Sequence, residues 1–152
     1  MSAAGGEEAG DGAFFLFADA VVATLNAATL SQPITATRAY LPRAEISELK
    51  TLKVTVVPSS VVNASASRSQ SQQDIAIDVA IQKKPGNEQN ASFDPLLALA
   101  EEIGELFRAK RLATFPLAAC IKTEFKTIYA PEHIENLRTF TSVLTLTFRV
   151  IA

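Results

Sequence analysis

Nine consecutive residues constrain the fold of this chain more than any other stretch. In DIAIDVAIQ, residues 74–82, Ile75, Ile77, Val79 and Ile81 alternate without exception with Asp74, Ala76, Asp78, Ala80 and Gln82. Successive side chains of a β-strand point to opposite faces, so this period of two predicts a strand with one face in a core. A strand buried on both faces would read as a continuous apolar run. The chain must therefore build a sheet with one apolar face and supply something apolar to cover it.

The cover is legible as two helices. In residues 13–30, Phe14, Phe17, Ala18, Val21, Val22, Leu25 and Ala28 recur at helical spacing, with Asp19, Ala23 and Asn26 opposite, and Pro33 follows. In residues 95–112, Leu96, Leu99, Ala100, Ile103, Leu106 and Phe107 form a stripe opposite Glu101, Glu102, Glu105 and Arg108. Asp94 suits an N-cap and Pro95 a first helical position. Arg108, Lys110 and Arg111 suit the negative C-terminal end of such a helix, with phosphate contact the other reading of the cluster.

Further strands are expected at 34–41, 52–57 (ended by Pro58), 120–129 and 140–150. Ile121, Phe125 and Tyr129 oppose Lys122, Glu124 and Lys126, and Phe140, Leu144, Leu146, Phe148 and Val150 oppose Thr141, Thr145, Thr147 and Arg149. Neighbouring strands on short links usually pair antiparallel. The sum is an α+β fold: a mostly antiparallel sheet of four or five strands with both helices packed on one face.

The Ser/Gln/Asn-rich stretch 59–73 reads as an exposed loop, or as a long hairpin arm that orders only against a partner. Residues 1–12 hold four of the six glycines and carry Glu7, Glu8 and Asp11 without a Lys or Arg. Such a segment cannot offset its chain entropy by burial and is expected to be a disordered arm, leaving 13–152 as a single domain. Outside the arm the chain is close to neutral, which argues against an extended basic face for nucleic acid. Residues 13–30 follow acidic residues and contain Asp19 and Asn26, so neither a secretion signal nor a membrane span is expected. The sequons at Asn63 and Asn90 then carry no meaning.

The residues offer no chemistry. The chain has one histidine and one cysteine. His133 sits between Glu132 and Glu135 in a spacing that is not the helical H-E-x-x-H arrangement, with no second histidine to complete a metal site. Pro131 at a first helical position with Glu132 and Glu135 near it reads as a turn leading into the last strand. Cys120 reads as a packing residue in a reducing compartment. Glycine-rich phosphate loops and the G-x-S-x-G motif are absent from the sequence. Asp74 and Asp78 share a strand face about 13 Å apart, at ~3.3 Å per residue, too far for a paired-carboxylate site unless another strand contributes. No catalytic residue, metal or cofactor is expected.

Three stretches carry a resemblance: LKVTVVPSS (52–60) with the polar run after it, DIAIDVAIQKK (74–84), and IYAPEHIENLRTFTSVLTLTFRV (128–150). Together they resemble the tail terminator or tail completion proteins of long-tailed phages and prophages, over roughly residues 13–152. The resemblance implies a structural virion protein, assembled in the host cytoplasm, in a ring usually of six subunits on the head-proximal end of the tail tube. Its implied partners are further copies of itself, the tail tube protein, the head–tail connector or stopper, and genomic DNA passing through the lumen without sequence-specific binding; no membrane is involved. The Gly/Glu-rich N-terminal arm departs from the family pattern. Residues expected at a subunit or tail-tube interface are Val61, Asn63, Arg68, Gln70, Asp74, Asp78, Lys122, Glu124 and Lys126. The alternatives are another neck component, such as a head-completion or stopper protein or a minor tail protein, and a small enzyme or ligand-binding α+β domain with His133 or Cys120 in its pocket.

Overall fold

A computed structural model describes residues 14–40, 52–65, 67–84, 89–108, 110–112, 115, 118–127, 131 and 140–151. The strand around 74–82 is the centre of the architecture. It runs as β3, Ser71–Lys83, between β2, Lys53–Ser65, and β5, Phe140–Ile151, antiparallel to both. A short β1, Ala36–Arg38, lies parallel along β2, and β4, Ala119–Thr127, lies antiparallel along β5. The sheet order is β1-β2-β3-β5-β4. Two helices, α1, Phe14–Ala27, and α2, Gln89–Phe107, complete the fold. The α+β fold with a five-stranded, mostly antiparallel sheet is as expected.

Both helices cover the same face. The core joins Phe17, Val21 and Leu25 of α1 and Leu99, Ile103 and Phe107 of α2 to Val54, Val56, Ile75, Ile77, Val79, Ile81, Leu144, Leu146 and Phe148. Full burial of one such side chain contributes roughly 1.5–3 kcal/mol. Aromatic contacts tie the layers: Phe17 stacks on Phe115 with centroids 4.2 Å apart, and Phe107 meets Phe148 edge-on at 6.2 Å. The apolar half of the β3 alternation is buried as periodicity predicts, and towards the end of the strand Ala80 and Gln82 of the other half are buried as well.

Several expected boundaries move. Pro58 does not end β2: the strand continues to Ser65, paired with β3 as far as Ser65↔Ser71. The register shifts between Pro58 and Ser60, and an irregularity of this kind is where a strand tolerates proline. The stretch 59–73 is thus two strand halves and the turn of a hairpin, already paired within one chain. The first edge strand is three residues long where eight were expected.

Helix α2 begins at Gln89 rather than Pro95 and keeps Pro95 inside it. Pro95 removes one backbone donor, a defect best tolerated towards a helix start. The same helix stops at Phe107, five residues short of the expected end. There the backbone turns through Lys110 N–H→Phe107 carbonyl at 3.0 Å, and residues 110–112 run back beside the start of β4. Lys110 and Arg111 therefore lie beyond the helix, not in its last turn.

Asn26 lies on the exposed side of α1 as expected, and its amide also clamps β1: Ala36 N–H donates to Oδ1 at 2.7 Å and Nδ2 donates to the Ala36 carbonyl at 3.1 Å. No helix among the described residues is long and apolar enough to cross a membrane. The expected arm at 1–12 and all of the His133 turn except Pro131 lie outside the described residues, as does Tyr129.

Candidate subunit interface

The face of the sheet opposite the helices carries the polar half of each alternation, and cross-strand register decides which groups meet. Asp74 lies opposite Arg149, and Asp78 opposite Thr145. Arg149 Nε and Nη2 donate to the two Asp74 oxygens at 2.9 and 3.1 Å. Hydrogen bonding to Asp74 holds the Arg149 guanidinium above its already high ordinary pKa, against some desolvation. Thr145 Oγ1 donates to Asp78 Oδ1 at 2.7 Å, and Lys126 Nζ reaches Asp78 Oδ2 at 3.4 Å. Lys122 and Glu124 pair at 3.4 Å on the same strand. Five of the sequence-selected residues, Asp74, Asp78, Lys122, Glu124 and Lys126, are thereby brought to one face. Their charges largely neutralise one another.

The hairpin end is separate. Ser67 N–H donates to the Gln70 carbonyl at 3.2 Å, and Asn63, Arg68 and Gln70 are exposed there. Val61 belongs with neither group. The irregularity after Pro58 turns Val61 toward the helices, opposite Ile75, and puts Val62 on the charged face opposite Asp74, 61% exposed.

Val61 instead lines a cleft of about 310 Å³ with Phe14, Phe15, Tyr40, Pro58 and Ser60, at the outer edge of β2. Tyr40 and Phe15 are largely exposed there. Arg38 spans them, 5.3 Å from the Phe15 ring centroid and 5.5 Å from that of Tyr40, and pairs with Asp19 at 2.7 Å. Sequence reasoning missed this cleft because its walls come from the start of α1, the end of β1 and the mid-strand irregularity. A second cleft, about 620 Å³, lies at the opposite edge of the sheet and is lined by Glu105, Arg108, Cys120, Ile121, Lys122 and Thr123.

Cys120 is buried, and burial pushes its thiol above the ordinary value, outweighing backbone hydrogen bonds that act the other way. A raised thiol is a poor nucleophile. Among the described residues no three His, Cys, Asp or Glu side chains come together as a metal site.

No family model matches this chain, and no curated protein matches it in sequence. Among solved structures, its fold is similar to that of a chain described as "Virion of native gene transfer agent (GTA) particle". The TM-score is 0.53 and the identity 14%, over 87% of this chain and 84% of the other. At that identity the likeness shows a shared fold.

Proposed function

We propose that this chain is a structural virion protein: a tail terminator, without enzymatic activity, that forms a ring on the head-proximal end of a tail tube. The ring, of six subunits, ends tube growth and meets the head–tail connector. The observation that carries this reading is the fold shared with a chain of a gene transfer agent virion over most of both lengths. The resemblance of the three sequence stretches points the same way.

The charged face fits such a role. Asp74–Arg149 and Asp78–Lys126 are satisfied within the chain, so these pairs offer DNA no unbalanced positive charge to grip. It suits a lumen through which DNA slides, or a surface against a neighbouring subunit. Asn63, Arg68 and Gln70 at the hairpin end are assigned to contact with the tail tube or the adjacent subunit. Removing all of 59–73 would strip β3 residues that pair with β5, so the cleaner change is alanine at these three exposed positions.

The decisive experiment inactivates the gene in its particle-producing host and images the products by negative-stain electron microscopy. Filled heads beside separate tails that are overlong or unfinished at the upper end establish a terminator. Leaking heads beside tails of normal length move the protein to the head side of the joint, as a stopper or head-completion protein. Normal infectious particles overturn the virion reading.

A further inference from the structure

The sheet has two outer edges, and among the described residues each is closed over only part of its length. On β2, strand β1 pairs Val54–Val56, and Ala39 N–H donates to the Val56 carbonyl at 2.9 Å. Beyond that, among the described residues, no strand lies outside 58–65. On β4, the segment 110–112 covers the beginning through the Arg111–Ala119 bridge and Cys120 N–H→Lys110 carbonyl at 2.8 Å. Residues 121–127 have no such outer neighbour among the described residues.

Register across the sheet places these free lengths at opposite ends. Val62, Asp74, Arg149 and Ala119 form one row, and Pro58, Ile77, Leu146 and Thr123 another. The free part of β2 therefore extends toward the hairpin end, and the free part of β4 extends away from it. Strand β4 is antiparallel to β5, and β5 has the direction of β2, so β4 and β2 run oppositely.

We propose that these edges join copies of this chain head to tail: residues 58–65 of β2 in one subunit pair antiparallel with 121–127 of β4 in the next. The proposal rests on the ring reading above and names the contact that builds it. A copy carried along in the same orientation presents its β2 to β4 with opposite polarity, which is the antiparallel geometry. A shift of about four residues along the strands, ~13 Å, brings the two free lengths into register. The hairpin end then stops against 110–112, so the existing caps set the stagger. Tilted strands in a closed ring of sheet need a stagger of this kind. Using two different edges makes the contact heterologous, the type that closes into rings.

The side chains fit pairing better than protection. Isolated edges are commonly blunted by free charges. Here Lys126 is tied to Asp78 and Lys122 to Glu124, both on the outer face. Ile121, at a register shift in β4, is left 46% exposed at the edge. An apolar cleft flanks the β2 edge and a second cleft flanks the β4 edge, giving each strand's neighbour somewhere to place side chains.

The test uses the full chain with Val62→Cys and Glu124→Cys, both exposed positions on the outer face that the stagger sets opposite each other. Native mass is measured first, then a short bismaleimide is added and the products are separated under denaturing conditions. The double variant is expected to give a ladder from dimer up to the closed ring. An equimolar mixture of the two single variants gives dimers, and either single variant alone stays monomeric on the gel. An assembled ring by native mass with no ladder and no mixed dimer overturns the edge pairing and leaves the ring standing. A monomer by native mass, both alone and with tail tubes present, overturns the ring reading and this contact together. Dimers from one single variant alone indicate a two-fold contact between like edges and also overturn the proposal.

Discussion

Asp74 and Arg149 face each other across β3 and β5 and close a two-point ion pair, Nε–Oδ1 at 2.9 Å and Nη2–Oδ2 at 3.1 Å. Fork geometry makes this the best-formed charge contact on the outer face. The Arg149 side chain is still partly exposed, so solvent screens the pair and its contribution is modest. Because Arg149 is held above its ordinary value, its share of the stabilisation is present at every pH below that value and shows no step through neutrality. Asp74→Asn is expected to lower the melting temperature slightly at low salt. That difference should shrink in about 1 M salt, where the screening length is about 3 Å. A difference that persists undiminished would mean that shape, not charge, holds the two residues.

Asn26 predicts a larger effect from a residue with no charge. Its side chain satisfies both backbone groups of Ala36, which is 3% exposed. Asn26→Ala leaves a buried N–H and carbonyl without partners, a cost of about 1–3 kcal/mol. Chemical denaturation is expected to show that loss with an unchanged m-value. Hydrogen exchange should rise first at Ala36–Arg38, because α1 then no longer pins this short edge strand.

The contrast between these residues shows what the sequence could convey. Strand β3 was legible because period two is a local signal and every residue of 74–82 lies on the face its position assigns. The α+β arrangement followed, since two amphipathic stripes needed one apolar sheet face. Asn26 was not legible: its partner is ten residues away and only the folded backbone brings it near. The polar run 59–65 looked unlike a strand because its pairing to β3 is a tertiary fact. Strand parity puts Asp74, Asp78, Lys122, Glu124 and Lys126 on one face, and the cross-strand register agrees. Val61, chosen from the polar run 59–73, lies on the other face, because the irregularity after Pro58 inserts one residue and exchanges the faces of Val61 and Val62. An irregularity of that kind leaves no periodic trace, and a proline that looks like a stop hides it further. Asp94-Pro95 misled in the same way, as a strong local start signal overridden by a helix already under way.

Gly104 offers a prediction in the stabilising direction. It lies inside α2, where glycine costs roughly 0.5–1 kcal/mol relative to alanine. A Cβ there would meet Phe125 Cζ at 3.8 Å and Leu144 Cδ2 at 3.9 Å, ordinary contact distances. Gly104→Ala is therefore expected to raise stability by about 0.5–1 kcal/mol, read as a higher denaturation midpoint. A loss of stability would show that α2 sits closer to β4 and β5 than these distances allow.

Cys120 tests burial through pH. It is 4% exposed, and burial raises its thiol despite backbone hydrogen bonds that favour the thiolate. Unfolding returns the thiol to its ordinary value of about 8.5. Below that value both states hold the proton and stability is unaffected. Above it the unfolded chain releases the proton while the folded chain retains it, so stability falls as pH rises through the window up to the folded value. Lysines and tyrosines also titrate in this range, so the slope must be isolated by comparison with Cys120→Ala. That variant loses little volume and is expected to be less stable than the parent at pH 7, with the gap narrowing as pH rises above about 8.5. The same burial predicts slow labelling of the native thiol by a maleimide at pH 7 and rapid labelling in denaturant. Rapid labelling of the native chain would place Cys120 at an open edge, and the β4 segment 119–120 would then have to separate readily from 110–112.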